Sequence, residues 1–205
     1  MDQLAIDQLC FHDRGPYSLR IAAGDCVGLQ GSSGAGKSLL LRAIADLDPR
    51  TGHLQLGELD ADAVAAPVWR RAVALLPAES GWWLDLVGEH FADFSTVADD
   101  LLAAVGFDRS VRGWQVSRLS TGEKQRLAIV RLLHQRPRCL LLDEPTASLD
   151  QDLVARVETL LRTYARTHRA PMLWVSHDPA QLARVSDHRL VLTDSGLLVD
   201  PGVAA

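Results

Sequence analysis

The sequence predicts an α/β fold: a mostly parallel sheet flanked by helices, with an antiparallel β portion at the N-terminal end and a small helical portion in the middle. Three observations lead there. Beyond residue 26, short apolar runs alternate with longer amphipathic stretches, as in strand–helix repeats that build a parallel sheet. Residues 26–30, 72–76, 139–142 and 171–176 are apolar at nearly every position, which suits strands covered on both faces. Before residue 26, residues 4–11 and 17–21 are two strand-like runs close enough to pair as a hairpin.

A chain of 205 residues is long enough for one sizeable core, and residues 1–205 are expected to form one domain. The net charge of −5 disfavours non-specific nucleic-acid binding, which depends on neutralising phosphates. Cys10, Cys26 and Cys139 are odd in number, far apart and set in apolar surroundings. They read as buried reduced thiols, and no C-x-x-C spacing points to a metal. The N-terminus lacks a basic-then-apolar leader, and no apolar run approaches the roughly 18 residues that span a bilayer. A membrane role would therefore need another chain to do the spanning.

In chain order, Ala23-Gly24-Asp25 turns the N-terminal hairpin into the strand at 26–30. A glycine-rich loop follows, then a helix from residue 38 that is expected to stop near Asp48, because Pro49 cannot continue it. Residues 53–58 alternate polar and apolar like a half-exposed strand. From about residue 80 to 135 the texture turns helical. Amphipathic stretches at 84–94 and 97–105 precede a long helix at 119–136. The strand at 139–142, a helix at 149–169, the strand at 171–176 and a hairpin at 189–200 complete the chain, the last turning at Asp194-Ser195-Gly196.

The glycine-rich loop is Gly31-Ser32-Ser33-Gly34-Ala35-Gly36-Lys37-Ser38, the pattern G-x-x-x-x-G-K-[ST], with Leu39 next in the helix. A strand, a glycine loop and a helix N-terminus aim backbone N–H groups at one point, where a polyphosphate would sit. The motif itself implies Lys37 on β- and γ-phosphate oxygens and the Ser38 hydroxyl on Mg²⁺.

Leu140-Leu141-Leu142 ends in Asp143-Glu144, so a buried strand delivers two carboxylates at its C-terminal end, where open α/β sheets bind ligands. Asp143 suits Mg²⁺, and Glu144, on the other side of the strand, suits orienting or deprotonating an attacking water. Ser120-Thr121-Gly122-Glu123 opens a helical run, with Ser120 and Glu123 spaced as a capping box. A capped helix start with a Ser hydroxyl and a Gly backbone is compatible with an anion site.

Leu119-Ser120-Thr121-Gly122-Glu123-Lys124-Gln125-Arg126 resembles the L-S-G-G-Q signature of ATP-binding cassette (ABC) ATPases. The order of motifs is also similar: phosphate loop, signature, Asp143-Glu144, Ser148-Leu149-Asp150, then His177. The resemblance spans nearly the whole chain. It implies a P-loop ATPase core that takes ATP and Mg²⁺ and hydrolyses ATP to drive a separate transmembrane permease. It also implies two cassettes face to face, in which Ser120 and Gly122 of one close over ATP held by Lys37 of the other. Asp150 then passes between the two sites, His177 contacts the γ-phosphate, and Phe11 lies where an aromatic side chain stacks on adenine. Such a subunit is cytoplasmic, peripheral at the inner face of the cell membrane and not itself inserted.

Two departures stand out. The signature carries Thr121 for Gly and Glu123 for Gln, sparing Ser120 and Gly122. Where cassettes place a glutamine after the strand that ends at Leu76-Pro77, this chain has Ala78-Glu79, so Glu79 is a candidate Mg²⁺ ligand. Trp82 and Trp83 follow in the region that receives a permease helix in the family. On a helix they would face opposite ways, one buried and one exposed. The Trp pair and residues 173–178 loosely resemble small bacterial subunits assigned to iron export. Rival readings are a non-transport ABC ATPase in DNA repair or on the ribosome, and a regulatory ATP-binding module with impaired hydrolysis.

Overall fold

Period-2 side-chain alternation lets one strand serve two cores, and the central strands use it fully. In a computed structural model describing residues 2–193 and 196–199, Leu140 and Leu142 join one apolar cluster while Cys139 and Leu141 join the other. The continuous apolar runs are thus strands packed on both faces.

The N-terminal strands β1 (Leu4–Phe11) and β2 (Arg14–Ile21) pair with β4 (Arg50–Leu56) and β5 (Leu59–Asp60) in a four-stranded antiparallel sheet of order β2-β1-β4-β5. A second sheet contains β3 (Cys26–Gln30), β6 (Val73–Leu76), β7 (Cys139–Asp143), β8 (Met172–Val175), β9 (His188–Thr193) and β10 (Gly196–Val199) in the order β10-β9-β3-β8-β7-β6. All its pairs are parallel except β9–β10. The turn expected at Asp194-Ser195 lies outside the described residues.

Helix α1 (Lys37–Ile44) sits between the sheets, burying Leu40, Leu41, Ala43 and Ile44. It stops before the expected Asp48. Asp46 adopts φ 57°, and the N–H groups of Asp46 and Leu47 return to the Ala43 and Arg42 carbonyls, a closing motif that ends the helix ahead of Pro49. Helix α2 (Ala66–Ala72) follows, with Pro67 near its start, and buries Trp69, whose indole N–H donates to the Ile44 carbonyl at 2.8 Å.

The other face of the parallel sheet is covered by α4 (Thr121–His134), α5 (Gln151–His168), α6 (Pro179–Val185) and the segment before α4. That segment holds α3 (Asp99–Ala104) and several single 3₁₀ turns, at Val87–His90, Phe94–Thr96, Arg109–Gly113 and Val116–Arg118. The helix expected over 84–94 does not form. Its backbone is committed elsewhere: the Val87 N–H donates to the Trp114 carbonyl, the Asp85 carbonyl accepts from the Val116 N–H, and Asp93 caps Ser95. Trp82 and Trp83 therefore leave no helix, yet they divide as expected. Trp82 packs against the core and Trp83 is 71% exposed. Cys26 and Cys139 are buried and Cys10 half-buried, and burial pushes the Cys26 thiol up to about 12. No helix among the described residues is long and apolar enough to cross a membrane.

Candidate active site

Parallel register brings the motif residues together. Val175 of β8 aligns with Leu29 of β3 on one side and Asp143 of β7 on the other. β3 ends one residue on, at Gln30, and Ser176 and Glu144 follow β8 and β7 at the same level. The glycine loop, His177 and the acidic pair consequently share one end of the sheet, its C-terminal edge.

Gly31 to Gly36 form the loop, and Lys37, Ser38 and Leu39 open α1. Gly36 sits just before the helix at φ 94°, a left-handed conformation that glycine adopts without strain. It offers no side-chain cap, and the first turn carries no acidic residue. The orphan N–H groups of a helix start thus meet neither a cap nor a competing carboxylate, which suits an anionic ligand. Lys37 is 7% exposed, and its ammonium donates to the carbonyls of Gly31 (2.8 Å) and Ser32 (3.1 Å). Arg14, at the start of β2, donates to the carbonyls of Ala35 (2.8 Å) and Gly34 (3.0 Å). Two cations thus engage four of the loop's carbonyls. Arg14 belongs to no motif, and nothing short of the β2–loop packing could have found it.

Asp143 is 7% exposed at the end of β7. Glu144 turns the chain there with φ 48°, its N–H donating to the Val175 carbonyl. Burial pushes the Glu144 carboxyl above its ordinary range, and the neighbouring Asp143 charge adds to that, while His177 and Lys37 oppose it. The Oε1 atom of Glu144 is buried without a hydrogen-bond partner, 3.7 Å from Nε2 of His177. An orphaned, basic carboxylate oxygen beside a lysine and a cap-free helix start fits a site for a phosphate ester, a cation and a water. The turn after Glu144 is pinned by Gln181, whose amide donates to Thr146 Oγ1 at 2.8 Å and to Glu158.

Other expected site residues lie elsewhere. Ser120 caps α4 in a full capping box with Glu123, as expected. Gly122 packs against the 148–150 turn, where a Cβ would come within 2.7 Å of the Ser148 carbonyl oxygen. Asp150 caps α5, accepting from the Leu153 N–H at 2.9 Å. Glu79 is exposed on the loop after β6, without an ion pair or hydrogen bond to any described residue. Phe11 departs from its expected role: it is 2% exposed, stacked on Tyr17, and shows no open face for a base. The exposed ring at that hairpin is His12.

Fold and site together define a phosphate-loop α/β protein with an acidic pair and a histidine at the strand ends. Comparison with known proteins narrows that class. A family profile described as "ABC transporter" matches residues 15–147. The aliphatic sulfonates import ATP-binding protein of Pseudomonas savastanoi pv. phaseolicola is 36% identical over 186 residues, covering 89% of this chain and 66% of that protein. The methionine import ATP-binding protein of Xanthomonas campestris pv. campestris is 34% identical over 203 residues, covering 91% of this chain and 60% of that protein. The chain thus spans somewhat under two thirds of these relatives' length. A bacterial Atm1-family ABC exporter solved with ATP bound superposes with a TM-score of 0.81 at 26% identity, over 96% of this chain and 38% of the exporter. The chain belongs to the ABC transporter family.

Proposed function

We propose that this chain is the ATP-binding and ATP-hydrolysing subunit of a transporter, working as a head-to-tail pair that drives a separate transmembrane permease. The observation that carries this reading is the convergence of Lys37, Asp143, Glu144 and His177 at one sheet edge, with the Glu144 oxygen desolvated and unpartnered.

Lys37 exchanges the Gly31 and Ser32 carbonyls for β- and γ-phosphate oxygens, and the N–H groups opening α1 hold the rest of the chain of phosphates. Ser38 and Asp143 would hold Mg²⁺, with Glu79 as a further oxygen donor; the ion supplies charge neutralisation between the phosphates. Glu144 positions a water in line with the γ-phosphorus and accepts its proton on the carboxylate. The bond from phosphorus to the bridging oxygen breaks, leaving ADP and phosphate. His177, beside the same carboxylate, orients the transferred group.

Ser120 and Gly122 of a second copy complete the site, and Asp150 lies between the two sites. Trp83 and Leu84, exposed next to the Glu79 loop, are the face offered to the permease, whose chemistry sets the cargo. Such a subunit works at the inner face of the membrane.

Purified chain with Mg²⁺ and ATP should release phosphate and pass from monomer to dimer on size exclusion. Nucleotide binding with neither release nor dimer would favour a regulatory module. A membrane protein co-purifying with the wild type, and lost on Trp83→Ala, would identify the permease.

A further inference from the structure

We infer that Glu123 is a brake on closure of the ATP site, set by its charge and by its hold on the Ser120 hydroxyl. The inference rests on the reading that Ser120 of one copy closes over the triphosphate bound by the other. A serine hydroxyl carries one proton to donate. Here Ser120 Oγ donates it to Glu123 Oε2 at 2.7 Å, and the Ser120 backbone N–H donates to the same oxygen at 2.8 Å. The Glu123 N–H donates back to Ser120 Oγ at 3.2 Å, so both donors of Ser120 are committed within the chain.

These hydrogen bonds hold the Glu123 carboxyl below its usual range, so it is ionised at neutral pH. A full negative charge in the first turn offsets the partial positive charge that a helix start presents to an anion. Arg126, one turn on, attracts the carboxylate but sends its own guanidinium to the Val105 carbonyl and over the Phe107 ring, 4.4 Å from the centroid. The carboxylate also borders an open cleft of about 440 Å³, shared with Trp114 and Arg118. An arriving γ-phosphate therefore meets a carboxylate and a serine whose proton points away from it. Closure requires the hydroxyl to swing off Glu123 against charge repulsion.

Glu123→Gln separates charge from capping, because the Gln carbonyl still accepts from Ser120. The test uses Glu144→Gln chains, which should hold ATP without turning it over, and measures dimer formation against ATP concentration by size exclusion. With Glu123→Gln added, half-maximal dimerisation should need about tenfold less ATP at low salt, since one removed charge a few ångströms from a phosphate is worth about one decade. The gain should shrink at about 0.5 M salt, where screening is strong. An unchanged melting temperature shows the cap intact, whereas Glu123→Ala loses it. An equal or higher ATP requirement in Glu123→Gln overturns the brake, as does a gain indifferent to salt. Failure of both chains to dimerise with ATP bound overturns the two-copy reading and the brake with it.

Discussion

Nε2 of His177 stands 3.7 Å from Oε1 of Glu144, beyond hydrogen-bond length but within reach of a charge interaction. The two residues follow neighbouring parallel strands, so the distance is set by the register that pairs Asp143 with Val175. His177 is largely exposed while Glu144 is mostly covered, so the histidine can turn toward a ligand without moving the carboxylate.

Burial raises the Glu144 carboxyl above its ordinary range, which places its loss of function on the acid side. Turnover needs the ionised form, so kcat should fall as pH drops, and at a higher pH than an exposed glutamate would give. Charged His177 opposes the shift, so His177→Ala should move the acid limb further up. A pH–kcat profile of both chains checks this, and coincident acid limbs would contradict it.

The same shift bears on stability. A carboxyl whose folded pKa is raised favours the folded state below its unfolded pKa, and that contribution is lost as pH rises through the folded value. At neutral pH ionised Glu144 is thus a cost to folding. Glu144→Gln should raise the melting temperature by about 2 °C at pH 7.5, with the difference fading toward pH 4. Calorimetry at the two pH values reads it.

Arg14 clamps the phosphate loop from a strand that carries none of the motif residues. Arg14→Ala should release the Gly34 and Ala35 carbonyls and weaken ATP binding about tenfold, with kcat changed less than threefold, since two charge-assisted hydrogen bonds are lost from the loop rather than from the ligand. Lys37→Ala should lose binding by well over 100-fold. Fluorescent-nucleotide titration separates the two.

Gly122 has no room for a methyl group against the Ser148 carbonyl. Gly122→Ala should push the start of α4 away from the 148–150 turn, costing about 1–3 kcal/mol and most of the turnover, with ATP binding by the single copy retained. Equilibrium titration and phosphate release on one preparation test both halves.

Glu79 stands exposed on the loop that follows edge strand β6, which pairs with the strand that carries Asp143. Glu79→Ala should raise the Mg²⁺ concentration for half-maximal turnover by several fold. A superimposable Mg²⁺ titration would remove Glu79 from the metal site.

Much of this was legible from the residues themselves. The apolar strands could be read because full burial on both faces leaves no polar gap in Leu140 to Leu142, and β1 and β3 take the bounds expected for them, 4–11 and 26–30. The motif residues Lys37, Asp143, Glu144 and His177 could be read because each follows directly on such a strand or its loop. What failed were features decided by contacts distant in sequence. The stretch 84–94 has helical periodicity, but pairing of Leu86 with Gln115 and the clamp of His90 on the Trp83 and Leu84 N–H groups take its backbone. Phe11 has the right residue type for stacking, and its neighbour Tyr17 closes over it. Arg14 could not be seen at all, since the two carbonyls it reaches lie about twenty residues away in the chain.

The central claim is that Glu144 supplies the base for ATP hydrolysis, and steady-state phosphate release by wild-type and Glu144→Gln chains tests it most directly. Wild type should turn over with Mg²⁺ and ATP, and Glu144→Gln should fall by at least about 100-fold while still binding ATP. Release by Glu144→Gln within a few fold of wild type would contradict it.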